Sequence, residues 1–162
     1  MYRAAVITAS DSGHEGRRED RSGPLVRELA EKAGYHVVRC DLLPDDREKL
    51  AALMAAICDE DQADLILTTG GTGFSLRDCM PEATEDVIER KVPGIPEAMR
   101  WYSLQITPRA MLSRATAGIR GRTLIVNLPG SPKAAAECLE AVLPTVEHGL
   151  AILRGEAENC GR

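Results

Sequence analysis

The sequence predicts an α/β fold: a three-layer α/β/α sandwich on a mostly parallel central sheet with one antiparallel strand. Three observations lead there. Short apolar runs suited to buried strands alternate with longer amphipathic stretches suited to helices. The apolar runs empty into loops of small, polar or acidic residues. One pair of runs, in ATAGIRGRTLIVNL, is joined by a turn too short for a crossover, so that pair is a hairpin.

Residues 3–9, RAAVITA, form the first expected strand. The polar loop SDSGHEGRREDRSGP follows. A helix is then expected from Ser22 or Gly23, with Pro24 in its first turn and Gly34 at its end. Leu25, Leu29 and Ala33 supply its apolar stripe. YHVVRCDLL is the second strand. In PDDREKLAALMAAICDEDQ, Leu50, Leu53, Met54 and Ile57 recur at the i, i+3, i+4, i+7 spacing of one helical face. DLILTT is the third strand and PEATEDVIER a helix opened by Pro81. PGIPEAMRWYSLQI is a further helix, with Met99 and Tyr102 on one side and Trp101 and Tyr102 offering a candidate subunit interface. The hairpin turns at Arg120–Gly121. The final helix takes Ser131 as N-cap and Pro132 in its first position, and Pro144 is expected to kink or split it. With no repeat and no linker, residues 1–153 read as a single domain and 154–162 as a polar C-terminal tail.

Composition narrows the function. Aromatics make up 3% of the 162 residues, too few for the stacking platforms that hold single-stranded nucleic acid. The net charge of −5 argues against a nucleic-acid footprint, yet leaves room for a small anion held by local donors. No stretch reaches the roughly 20 apolar residues of a membrane span, and MYRAAVITAS enters a strand pattern without a signal-peptide core. The five cysteines are odd in number and form no C-x-x-C, which points to reduced thiols in a cytoplasmic protein. His14, His36 and His148 lack metal-ligand spacing.

Right-handed crossovers put every strand-to-helix loop on one edge of the sheet. SDSG, LPDD, TTGGTG and NLPGSP therefore meet there, bringing Asp11, Asp45, Gly71 and Ser131 around one crevice. The glycine loop within TTGGTGFSLRD is no Walker A motif, because it has no lysine, and it does not match G-x-G-x-x-G. Two readings stay open for it. The amides of Gly70–Gly73, the hydroxyls of Thr68, Thr69 and Thr72, and the helix opening near Pro81 can cradle an anion. Alternatively, the glycines only supply positive φ to a tight turn. Asp78 reads either as a helix cap or as a functional acid, and Asp45, with Glu48 three residues on, either as a capping box or as its partner. On one edge, the two carboxylates could share a magnesium ion, which favours one or two carboxylates plus phosphate oxygens.

TTGGTGFSLRDCMPEAT, VPGIPEAMR, AMLSRATAGIRG and LIVNLPGSPKAAAECLEAVLP, in this order, closely resemble the molybdopterin adenylyltransferases of the MogA/MoaB family. SDSG and DRSGP resemble the family's opening, and the similarity runs from the first strand to about residue 153. The resemblance implies a molybdopterin-binding α/β/α domain, trimeric and in some members hexameric. It implies a reaction in which ATP and molybdopterin, with magnesium, give adenylyl-molybdopterin and pyrophosphate. Asp45 and Asp78 take the places of the family's functional aspartates and would be both catalytic and metal-holding. Ligand contacts would come from Ser10, Asp11, Thr69, Gly70, Gly71, Thr72, Gly73, Ser113, Arg114, Asn127, Pro129, Gly130 and Ser131, with Arg77, Arg114 and Lys133 offsetting charge. The partners implied are the two substrates, further copies of the chain and a downstream molybdenum insertase. The alternative is a family member that binds molybdopterin, or serves as a scaffold, without catalysis.

Overall fold

The side-chain alternation of the first strand, β1 (Arg3–Ala9), divides the interior in two. Ala4 and Val6 enter one apolar cluster, while Ala5, Ile7 and Ala9 enter the other. Each cluster is the filling between a central sheet and a layer of helices. The structure, a computed structural model, describes residues 1–157.

After β1 come a single helical turn, α1 (Asp11–His14), and then α2 (Ser22–Lys32), β2 (His36–Leu43), α3 (Arg47–Asp59) and β3 (Leu65–Thr69). The chain continues through α4 (Met80–Val87), β4 (Arg90–Lys91), α5 (Gly94–Leu104) and a 3-10 turn (Pro108–Leu112). It ends with the hairpin β5 (Ala117–Arg120) and β6 (Thr123–Leu128) and the long helix α6 (Pro132–Leu153). The sheet has six strands in the order β2-β1-β3-β6-β5-β4. β2, β1, β3 and β6 pair in parallel, and β5 alone runs against its neighbours.

Val26 and Ala30 of α2, Met99 of α5 and Leu139, Val142 and Leu150 of α6 cover one face. Leu50, Met54 and Ile57 of α3 and Met80 and Ala83 of α4 cover the other. β3 and β6 are buried along their whole length, as strands covered on both faces must be. A one-residue slip in register would exchange the two cores' side chains, so the apolar pattern specifies the pairing.

Several local expectations change. The stripe of α2 is carried by Val26 and Ala30, one residue on from Leu25 and Leu29, and Ala33 is exposed. Adjacent aliphatic residues in LVRELA hide that rotation. Pro144 does not split α6, which runs unbroken through it. Pro144 and Glu140, whose carbonyl loses its helical donor, both lie on the exposed side, where water satisfies the carbonyl. The two-residue β4, the turn α1 and the 3-10 turn are too short to show periodicity. Of the expected tail, Arg154 and Glu156 bond back to the domain, and residues 158–162, with Cys160, lie outside the described part.

At the end of the sheet remote from the loops, Arg3 and Arg154 converge on two acids. Asp64, nearly buried, accepts from the Arg3 amide at 2.7 Å and guanidinium at 2.9 Å, with Arg154 at 3.1 Å. Arg154 also donates to Asp61 at 2.8 Å. Burial works to raise the Asp64 carboxyl, but the Arg3 bonds and the Arg154 charge outweigh it and the net shift is downward. The Arg154 hydrogen bond holds Asp61 down to about 2. Both acids titrate lower folded than unfolded, so their stabilisation is complete above about pH 4 and disappears as pH falls through the folded values. The melting temperature should therefore drop as pH falls from about 4 towards 2. Arg154→Met should flatten that limb and lower the melting temperature at neutral pH. An unchanged acid limb in Arg154→Met would assign the sensitivity to other carboxylates.

Candidate active site

The chain leaves β1 for α2 on one face of the sheet and β2 for α3 on the other, so the strand order reverses between β1 and β3. In open α/β sheets, that reversal parts the outgoing loops and leaves a crevice at the strands' carboxyl ends. Here it is a cavity of about 800 Å³, and Ser10, Asp45, Gly70, Gly71, Asp78, Gly130 and Ser131 line it. The four loops expected on one edge do meet there.

The glycines have separate physical reasons. Gly70 and Gly71 have φ of 90° and 69°, which disfavours side chains. A Cβ on Gly70 would also sit 2.3 Å from the Ala9 carbonyl oxygen. A Cβ on Gly130 would be 3.2 Å from Gly70 Cα, so the fourth loop closes on the third. Thr69 Oγ1 donates to the Pro129 carbonyl at 2.7 Å and fastens the two together.

The ambiguity of the paired acids in LPDD is resolved by one residue. Asp46 caps α3, accepting from the Lys49 amide, and Asp45 is left free of that duty. Asp45 instead exchanges bonds with the first loop. The Asp11 amide donates to Asp45 Oδ2 at 3.0 Å, and the Asp45 amide donates to Asp11 Oδ1 at 2.9 Å. Asp45 Oδ1 is buried with no hydrogen-bond partner among the described residues. Burial raises the Asp45 carboxyl above its ordinary range, against the Asp11 amide bond, and the charges of Asp11 and Asp78 push the same way. Asp78 is no cap either: the N-cap of α4 is Cys79, which makes no side-chain cap bond, and Asp78 Oδ2 accepts from the Ser75 amide at 3.0 Å.

Four residues expected to touch ligand are committed elsewhere. The Asn127 side chain is fully buried, donates to Thr68 and Thr84 hydroxyls at 3.0 and 2.9 Å, and accepts from the Thr116 amide. Arg114 donates to the Gly73 and Asp78 carbonyls at 2.7 and 3.0 Å and pairs with Glu82, so it braces both ends of the 73–78 loop. Asp11 is taken up by Asp45 and by a two-point pair with Arg77. In Thr69, the hydroxyl is likewise occupied and the side chain buried.

A second cavity of about 590 Å³ adjoins the first across the glycine loop. Thr72, Gly73, Ser113, Pro129, Ser131 and Lys133 line it, against Met99 and Cys138. Ser131 belongs to both cavities and caps α6 by accepting from the Ala134 amide. Trp101 is 68% exposed and Tyr102 half-buried, so neither packs into the core.

Sequence reasoning missed Asp20. It accepts from the Thr8 hydroxyl at 2.9 Å and the Gly23 amide at 3.0 Å, pinning the start of α2 to the end of β1 beside the first cavity. The signal was present in DRSGP, an acid three residues ahead of a helix's first amides.

Two carboxylates are a donor set that would fit a divalent cation together with phosphate oxygens. Asp45 presents an unpartnered oxygen, and the Asp78 carboxylate lines the same cavity. The fold is an α/β sandwich with a largely acidic cavity at its switch point and a second cavity behind the glycine loop, an arrangement of the kind that binds nucleotides and other phosphate ligands. The family described as "Probable molybdopterin binding domain" matches residues 5–148. A molybdopterin adenylyltransferase of Helicobacter pylori (strain 26695) is 43% identical over 152 residues, covering 93% of this chain and 86% of that protein. The molybdopterin adenylyltransferase of Escherichia coli is 38% identical over 142 residues, covering 86% and 73%. The solved molybdopterin biosynthesis enzyme MoaB of Thermus thermophilus is 46% identical, superposes with a TM-score of 0.90, and covers 96% of this chain and 98% of its own. The chain belongs to the MogA/MoaB family of molybdenum cofactor biosynthesis proteins.

Gly70→Ala should cost at least about 2 kcal/mol in denaturant unfolding, because strain at positive φ is joined by a backbone collision. Gly121→Ala, at φ 56° with open space around its Cβ, isolates the first effect and should cost about 1–2 kcal/mol. Equal losses would remove the close approach as the reason for Gly70.

Proposed function

We propose that this protein is a molybdopterin adenylyltransferase that transfers AMP from ATP to the terminal phosphate of molybdopterin. An oxygen of that phosphate forms the new bond to the α-phosphorus, the α–β bridging bond breaks, and pyrophosphate leaves. The observation that carries this reading is the half-buried Asp45, held with one oxygen free beside Asp78 in a cavity sized for a nucleotide. The relatives' names supply the substrate class.

The nucleophilic phosphate is ionised at neutral pH, so the site needs no strong base. What it must do is bring two polyanions together and stabilise charge on the α-phosphate and the departing pyrophosphate. Asp45 and Asp78 would hold magnesium, which would supply positive charge to offset that of the phosphates. ATP fits the acidic cavity, and the pterin fits the second one, where Ser113, Pro129 and Lys133 face Thr72 and Gly73. Ser10, Gly70, Gly71, Gly130 and Ser131 line the first cavity, and Ser131 lines the second as well. The amides of the glycine loop and the α6 N-terminus supply donors that cost no reorganisation during the reaction. The same reading makes the protein a cytoplasmic homotrimer or hexamer that hands its product to a molybdenum insertase. The exposed apolar side chains of Trp101, Ile106 and Met111 support an assembly surface.

Incubation with ATP, magnesium and molybdopterin should release pyrophosphate in step with adenylyl-molybdopterin. Tight pterin binding without pyrophosphate would make the protein a binding or scaffold member instead. Asp45→Asn and Asp78→Asn should each lower turnover at least about tenfold, a barrier change of about 1.4 kcal/mol, with pterin affinity nearly intact. Asp45→Asn should also leave the melting temperature at pH 7 unchanged or higher. Its raised carboxyl means the folded state pays for a buried charge above its pKa, and the amide removes that cost.

A further inference from the structure

We propose that Arg77 and Asp11 are positioning residues forming a latch that sets the Asp78 loop against Asp45, and that Asp11 makes no ligand contact. The inference rests on the reading that Asp45 and Asp78 act together in adenylyl transfer. Asp11 Oδ1 accepts from the Asp45 amide at 2.9 Å and from the Arg77 guanidinium at 3.1 Å, and Oδ2 accepts from Arg77 Nε at 2.9 Å. Both oxygens are spent within the protein. The Asp11 amide returns a bond to Asp45 Oδ2 at 3.0 Å, which selects Oδ1 as the oxygen left open. Arg77 immediately precedes Asp78, so a single chain of contacts joins the loops of both functional acids.

The latch is not kept for stability. The Arg77 side chain is 65% exposed, and exposed ion pairs contribute about 0–1 kcal/mol. What a planar two-point pair provides is direction, which a lysine's single ammonium does not. The loop needs direction, because its tip is otherwise bare: Phe74 and Leu76 point into solvent at 71% and 103% exposure. Arg114 holds the two ends of the loop, at Gly73 and Asp78. Arg77 ties it to the neighbouring loop.

The test is Arg77→Gln, beside Arg77→Lys, Asp11→Asn and the double variant Arg77→Gln/Asp11→Asn. In Arg77→Gln, amide exchange over residues 74–78 and at Asp45 should quicken while the melting temperature stays near the parent's. Mn2+ affinity in the presence of a non-hydrolysable ATP analogue, read by electron paramagnetic resonance, should fall about tenfold, and kcat about as much, with the KM for molybdopterin unchanged. Arg77→Lys should recover part of the loss, and the double variant should be no worse than the poorer single one. Unaltered exchange and Mn2+ affinity would overturn the latch, as would additive losses or a loss confined to the molybdopterin KM. If the parent protein releases no pyrophosphate, the proposed function fails, while exchange and Mn2+ affinity still decide the latch.

Discussion

Everything at the loop edge depends on how closely three backbones approach at Gly70. The Ala9 carbonyl occupies the space of a missing side chain on one side, and Gly130 closes on the other. Only because no Cβ intervenes do the ends of β1, β3 and β6 lie near enough for Thr69 to bond Pro129. The same approach lets Asp45, on the loop after β2, come within contact of Gly71. The site is thus a property of backbone packing first and of side-chain chemistry second.

That packing concentrates negative charge. Asp45 is held partly out of water near Asp11 and Asp78, and its carboxyl is raised accordingly. Asp11 goes the opposite way, lowered first by Arg77 and then by the Asp45 amide. The two acids exchange bonds, yet their environments pull them apart: one is neutralised by the protein and the other is left wanting a partner. Divergent environments within one small cluster are what separate a structural carboxylate from a working one.

Much of this was legible in the sequence, and the failures share a cause. Strand and helix order follows from periodicity, and the common loop edge follows from crossover handedness, so the meeting of Asp45, Gly71 and Ser131 needed no coordinates. The paired acids of LPDD could not be told apart, because capping and site geometry differ there by a single residue. Asn127 and Arg114 stand in segments that resemble ligand-binding loops, but sequence gives proximity to a site and not the direction a side chain takes. Asn127 turns inward to satisfy two buried threonine hydroxyls, and Arg114 turns towards carbonyls that would otherwise lack donors. The one-residue rotation of α2 and the unbroken α6 are of the same kind, decided by which flank the tertiary structure leaves wet.

The disposition of the basic residues bears most directly on mechanism. A site for two polyanions suggests free cationic side chains, and Arg18 and Arg21 in the lining of the first cavity join Arg77, Arg114 and Lys133 as candidates. Arg77 is paired with Asp11, Arg114 with Glu82, and Arg100 donates to the Ser113 and Ala115 carbonyls. Lys133 lines the second cavity with no ion pair among the described residues. The first cavity is lined by the acids Glu19, Asp20, Asp45 and Asp78 and by Arg18 and Arg21. Two carboxylates facing a triphosphate repel it unless a cation lies between them, and then the same arrangement becomes a means of holding both. On the proposed reading, a bound cation would offset the repulsion between those carboxylates and the phosphates of the nucleotide. Arg77 and Arg114 then serve the acids rather than the phosphates, holding in place the groups on which that balance turns.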